Sequence, residues 1–365
     1  MLQNLGDGHN VGTANGKIAL DCSIRPIRQR PTSGQGQTAK QWYTISTTDF
    51  FFPLVDSPYL QGRIGAANVL SDLYAQGVGE CDFVLMLLAA STQMDANDRK
   101  ICTNEMVKGF REACAGIAIT GGQTVLNPWP IIGGVATSVV AEGDFLYSNG
   151  AQLGNVLVLT KPLGTQVAVN AHQWKRKYQQ AKSNNNNNNN NLEDHDVQLY
   201  QKCLDTGLLT DDLIDDMMYA AVWSMVRLNR ISGALALEYG ATACTDVTGF
   251  GILGHAQNLA ENQQQPNLGM VLERLPCIRN TPLINKQVFN FRLTSGYSAE
   301  TSGGLLVCLP ADKAQAYCDA VKAAEIQAGR PTDTDQDLGP WIIGKVVEDS
   351  QQKATLANDV VVLEV

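Results

Sequence analysis

Four aspartates stand where carboxylates could do chemistry: Asp21, Asp49, Asp72 and Asp246. Asp49 lies in Trp42-Tyr43-Thr44-Ile45-Ser46-Thr47-Thr48-Asp49, an aromatic and β-branched run of the kind that forms strands. A rigid strand that ends in hydroxyls and an acid offers oxygen ligands to a hard cation. Asp72 stands four residues after Asn68 in Gly62-Arg63-Ile64-Gly65-Ala66-Ala67-Asn68-Val69-Leu70-Ser71-Asp72, so the two share one helical face. Asp21 closes the strand-like run Lys17-Ile18-Ala19-Leu20, and Asp246 follows Thr245 in Thr245-Asp246-Val247-Thr248-Gly249-Phe250-Gly251. Singly, each acid reads as the cap of a turn or helix. Gathered at one spot, they would raise one another's pKa unless cations neutralised them. Mg²⁺ held by carboxylates and bridged to phosphates is how phosphoryl transfer meets that demand. Spacing leaves open whether the four converge.

Three glycine-rich stretches could face phosphate oxygens. Thr120-Gly121-Gly122-Gln123-Thr124 could form a nest of backbone N–H groups, or cap the preceding helix as an ordinary turn. Thr301-Ser302-Gly303-Gly304 reads as a turn entering a strand. Gly249, Gly251 and Gly254 form a GxGxxG pattern, with Glu273 near the place a dinucleotide site would want an acid. That pattern is weak by itself, and a glycine turn at a helix start explains it equally well. His255 reads as a packed histidine, with no second histidine near it.

The elements that must position these residues alternate. Helical periodicity runs through 62–75 and 98–118, and apolar strands through 81–90 and 131–141. This predicts an α+β unit over 17–150 and a second over 151–365, which opens on the strand Gly154 to Thr160 and carries a long helix over 211–239. Residues 1–16 read as a flexible tail, and 25–40 as a solvated basic loop. Eight consecutive asparagines at 184–191 predict a disordered insertion near 178–195.

Bulk properties narrow the class. A net charge of −9 argues against a nucleic-acid or anionic-membrane partner. Nine cysteines without a CxxC pair, beside four histidines, fit free thiols better than disulfides or a zinc site. The apolar runs are too short to span a bilayer, and a cytoplasmic protein is expected.

Six motifs in order carry a specific likeness: TTDFF…VD (47–56) with GRI…AN…SD (62–72), GGQT (121–124), LTKPLG (159–164), TDVTGFGILGH (245–255) and TSGGLL (301–306). Together they closely resemble the selenophosphate synthetase (selenide, water dikinase) family, and NAHQW (170–174) resembles its eukaryotic branch. The resemblance implies the two-domain α+β fold of the aminoimidazole ribonucleotide synthetase superfamily, with N-terminal domains pairing into a dimer barrel. It implies ATP, selenide and water going to selenophosphate, AMP and phosphate. Asp21, Asp49, Asp72 and Asp246 would hold Mg²⁺ against the ATP phosphates. Leu20, Asp21, Asp49, Asp72 and the segment Gly121, Gly122, Gln123 and Thr124 would contact ATP, the segment across the dimer. Implied partners are a second copy and, in the same pathway, selenium-delivery and selenocysteine-synthesis proteins.

One departure stands out. The family's glycine-rich loop, with its selenium-handling cysteine or selenocysteine and nearby lysine, has no match before Lys17, and Cys22 follows the first metal acid. The expectation is an N-terminally truncated chain without its catalytic loop and with impaired turnover. Two rival readings remain: an inactive ATP-binding relative that acts through partners, and an NAD-dependent oxidoreductase built on 249–254, which requires a βαβ unit there.

Overall fold

The computed structural model describes residues 21–28, 40–183, 194–207, 209–330 and 339–365. The tail at 1–16, Leu20 and the asparagine tract therefore lie outside the described residues.

The first sheet is built from β1 (Ser23–Pro26), β2 (Trp42–Phe51), β3 (Phe83–Ser91), β4 (Ala118–Asn127) and β5 (Ile131–Ala141), in the order β1-β2-β5-β3-β4. Alternation along β2 sorts its side chains: Tyr43, Ile45 and Thr47 are buried, whereas Trp42, Thr48 and Phe50 are exposed. The buried face packs against α1 (Pro58–Ala75) and α2 (Ala96–Ala113), around Ile45, Leu70, Phe110 and Ile132. The other face presents Phe50, Leu85, Leu87 and Val125 at exposed or half-buried positions.

Helix α1 is the axis of the molecule. Ser57 caps it by accepting from the Leu60 N–H, and Pro58 occupies its first turn, where no donor is missed. It is buried nearly all round, because it also packs against elements of the second sheet's unit. Gly62 and Gly109 let α1 and α2 cross at backbone contact. A Cβ on Gly62 would lie 2.0 Å from the Met106 carbonyl oxygen, and one on Gly109 would lie 1.9 Å from that of Tyr59.

The second sheet contains β6 (Val156–Leu159), β7 (Ala243–Asp246), β8 (Leu268–Cys277), β9 (Leu305–Leu309), β10 (Trp341–Glu348) and β11 (Ala354–Glu364), in the order β11-β8-β10-β6-β9-β7. With it go α3 (Thr165–Ser183), α4 (His195–Asp205), α5 (Asp211–Val226), α6 (Arg230–Glu238), α7 (Gly251–Glu261), α8 (Thr281–Gln287) and α9 (Ala311–Gln327). Its largest apolar cluster runs from Leu157 and Trp174 to Leu272 and Ile343.

Five expectations are corrected. Strand β1 covers Ser23–Pro26 and pairs antiparallel with 43–46, so the stretch read as a loop from 25 is strand through Pro26. Asp21 lies two residues before β1, and residues 17–20, expected as a strand, lie outside the described residues. The helix expected over 98–118 stops at Ala113. Gly121 to Thr124 lie not in a turn but in β4, paired parallel with β3. Gly122 serves that pairing, since a Cβ there would meet the Met86 carbonyl oxygen at 1.8 Å. The long helix over 211–239 is two helices. It breaks at Arg227, whose backbone is extended (ψ 126°) and whose carbonyl accepts from Lys161 Nζ at 2.6 Å. Finally, β7 and β8 flank α7 but are not neighbours in the sheet, so 249–254 does not head the βαβ unit that dinucleotide binding requires.

Candidate active site

The acids arrive from both halves of the chain. Asp21 comes from the approach to β1, Asp49 from β2, Asp72 from the last turn of α1 and Asp246 from the end of β7. Oxygens of Asp21, Asp72 and Asp246 all lie within 4.8 Å of one another. Asp49 lines the same cleft of about 850 Å³, with Asn68, Thr48, Thr248 and Thr301. Asn68 and Asp72 thus share a face, as their spacing predicts, and the Asn68 side-chain oxygen accepts from the Ser302 N–H at 3.0 Å.

Hydroxyls hold the carboxylates in place. Thr47 donates to Asp72 through a short contact, Ser71 to Asp246 at 2.7 Å and Thr245 to Asp21 at 3.1 Å. Buried Asn229 donates to Ser71 Oγ at 3.0 Å and to the Gly303 carbonyl at 2.8 Å, linking the two halves behind the cluster. Sequence reading missed Ser71 as a contributor and Asn229 altogether, for only the fold brings position 229 behind position 71. Lys161 and Glu300 were also missed as residues. Lys161 is buried, donates to the Arg227 and Ser302 carbonyls, and is driven toward its neutral form by burial. Glu300 accepts from the Gly164 and Thr165 N–H groups at 2.7 and 2.9 Å, and burial pushes its carboxyl up to about 7. The LTKPLG and TSGG motifs hold this signal, since the two residues tie those motifs together.

Electrostatically the cluster is unbalanced. Burial, and after it the Asp246 charge, pushes Asp49 up to about 6. The same two causes, in that order, raise Asp21 and Asp72 well above the usual carboxylate range. Burial raises Asp246, opposed by the Ser71 hydroxyl and the Lys161 ammonium. Two ionised carboxylates under 5 Å apart repel by roughly 3 kcal/mol at an effective dielectric of about 20. Asp21 Oδ2 is buried without a hydrogen-bond partner among the described residues. An unpaired buried oxygen amid converging hard donors fits a divalent cation of the Mg²⁺ or Ca²⁺ type, not a soft metal.

Other expected groups fall elsewhere. Gly121 to Thr124 sit on the exposed edge strand β4, three strands from β2, which at sheet spacing is roughly 14 Å. They do not join the acids within one chain. His255 is a packed residue: its Nε2 accepts from the Thr248 N–H at 3.0 Å, and burial lowers its pKa to about 4. All nine cysteines are free. Burial and the neighbouring acids raise the Cys22 thiol well above its usual range, which makes it a poor nucleophile. Among the described residues no helix is long and apolar enough to cross a membrane.

Residues 34–140 match the N-terminal domain of AIR synthase related proteins, and residues 152–357 match the C-terminal domain. The thiamine monophosphate kinase of Aquifex aeolicus has the same fold, with a TM-score of 0.55 at 16% identity over 87% of this chain and 88% of its own. Fold and site together define an AIR synthase related protein with an acidic cleft shared by its two domains. The selenide, water dikinase of Trypanosoma brucei brucei is 44% identical over 98% of this chain and 84% of its own length. Selenide, water dikinase 2 of Homo sapiens is 42% identical over 95% of this chain and 69% of its own. The chain belongs to the selenide, water dikinase family.

Proposed function

We propose that this chain makes selenophosphate, converting ATP, selenide and water to selenophosphate, AMP and phosphate. One observation carries the reading: in a member of this family, carboxylates from positions 21, 72 and 246 meet at a cleft large enough for a triphosphate. Asp21, Asp49, Asp72 and Asp246 would hold Mg²⁺, which when bound supplies charge neutralisation and polarises the phosphoryl group. The residues behind them act by orientation. Thr47, Ser71 and Thr245 fix the carboxylate rotamers, and Asn229 fixes Ser71, so little reorganises as charge develops. Leu20 and Gly121 to Thr124 belong to this reading as ATP contacts. The β4 segment is too far from Asp49 within one protomer, so we infer that it serves the partner's site in a homodimer. The apolar sheet face of Phe50, Leu85, Leu87 and Val125 supports that pairing. A cytoplasmic location, work alongside selenium-delivery and selenocysteine-pathway proteins, and domains of 17–150 and 151–365 complete the proposal.

The test is anaerobic incubation with ATP, Mg²⁺ and selenide, followed by ³¹P NMR. Selenophosphate, AMP and phosphate should appear together, and none should form without selenide. ATP binding with no AMP would instead establish the binding-only relative. Sedimentation of the same sample should give about twice the chain mass of 39.4 kDa.

The metal reading also predicts a pH signature. The folded-state pKa of Asp49, near 6, lies above the unfolded value of about 3.9, and the other three acids are raised as well. Protonated, these groups favour the folded state. That contribution is complete below about pH 4 and is lost as pH rises through 6. In EDTA the melting temperature should therefore fall between pH 5 and 7.5 relative to the protein with Asp49 and Asp246 changed to Asn. Millimolar Mg²⁺ should reverse the fall, binding more tightly as pH rises because it displaces protons. Identical pH slopes with and without Mg²⁺, read by scanning calorimetry, would remove these acids from metal binding.

A further inference from the structure

A second cavity of about 490 Å³ lies on the seam between the two halves, away from the acids. Helix α1 contributes Arg63, the α5–α6 junction Trp223, Ser224, Arg227 and Arg230, and the C-terminal end of α9 Arg330. Its remaining walls are mostly apolar. Four of the chain's thirteen arginines thus face one pocket in a protein of net charge −9. One acid, Glu325, lines it, and Arg227 and Arg330 already pair with it at 2.7 and 2.8 Å.

The polar inventory is incomplete. Ser224 is 6% exposed, and its hydroxyl has no hydrogen-bond partner among the described residues. Arg63 Nε and Arg227 Nε are also buried, with no hydrogen-bond partner among the described residues. Three donors left unsatisfied around one cavity are a standing cost to the folded chain. An acceptor-rich ligand would remove that cost. Nothing in the phosphoryl-transfer geometry uses these groups.

We propose that this pocket binds a small amphipathic anion, a phosphate or carboxylate attached to an apolar or aromatic body. The anionic head takes the free Ser224 hydroxyl and the guanidinium N–H groups, with charge-assisted bonds supplying most of the selectivity. The apolar body lies on Trp223, Ile231 and Ala234. At this volume the cavity suits a ligand of single-ring size.

Titration calorimetry with phenyl phosphate tests this, with the whole chain in EDTA so that the metal-free acids repel anions from the catalytic cleft. Phenyl phosphate should bind one per chain. Inorganic phosphate, lacking the body, and phenol, lacking the charge, should each bind at least tenfold more weakly. Ser224→Ala, which removes an unpaired hydroxyl, should leave the melting temperature within a degree or two and weaken phenyl phosphate severalfold. The double change Arg63→Gln with Arg230→Gln should weaken it more than tenfold. No binding at millimolar phenyl phosphate would overturn the assignment. So would equal affinity for inorganic phosphate, or affinity unchanged in the folded Ser224→Ala protein. Because no metal, ATP or selenide is present, the result is independent of the proposed reaction.

Discussion

Asp246→Asn should leave a protein that is more stable than the parent in EDTA, yet slower in Mg²⁺-dependent turnover by about two to three orders of magnitude. Both effects have one cause. Asp246 is 3% exposed and is the neighbour whose charge most raises Asp21, Asp49 and Asp72 after burial itself. Asparagine keeps its shape and its contact from Ser71, but removes the repulsion and also one of the proposed cation ligands. Function and stability then pull apart, as they do where a site stores like charges for a ligand to neutralise. Steady-state kinetics and a thermal melt on the same preparation check it. A variant that loses turnover and melts lower would mean Asp246 is a structural link to Ser71 only. Titration calorimetry of ATP with Mg²⁺ adds a direct reading: Asp49→Ala combined with Asp246→Ala should abolish detectable binding.

Gly62→Ala and Gly109→Ala should each destabilise the chain by about 3 kcal/mol, at the upper end of overpacking effects. The sign is informative, because alanine in a helix is ordinarily better than glycine by about 1 kcal/mol. Here the added methyl would fall 2.0 Å from one carbonyl oxygen or 1.9 Å from another, so α1 and α2 must part. Helix α1 carries Asn68, Ser71 and Asp72, so the shift should also raise the Mg²⁺ needed for half-maximal activity. Gly249→Ala serves as the stability control, since a Cβ there meets nothing within 4 Å. Denaturant unfolding showing all three alike would mean that the α1–α2 crossing tolerates more separation than its contacts imply.

Several features were legible because they depend on local chemistry. The aromatic and β-branched run from Trp42 to Asp49 forecast a strand, and β2 is one. The four-residue step from Asn68 to Asp72 forecast a common face, and both line the cleft. Scattered cysteines forecast free thiols, and all nine are free. The errors have a local origin too. Glycines at 121 and 122 look like a turn in any window of sequence. They form a strand because the β3 backbone passes too close for a side chain at 122. The helical pattern over 211–239 conceals its break at Arg227, where a lysine 66 residues earlier claims the carbonyl.

By itself, then, the order of residues determined the kinds of element, the ordered motifs of the family and the candidate acids. Only the tertiary structure decided that Asp21, Asp72 and Asp246 share one point, that Ser71 and Asn229 stand behind them, and that Gly121 to Thr124 do not. It also decided that Ser224 and four arginines enclose a second cavity. The physical reason is range. Strand and helix periods follow from the covalent chain over a few residues, whereas the field at a carboxylate depends on charges brought within 5 Å from up to 225 positions away in the chain.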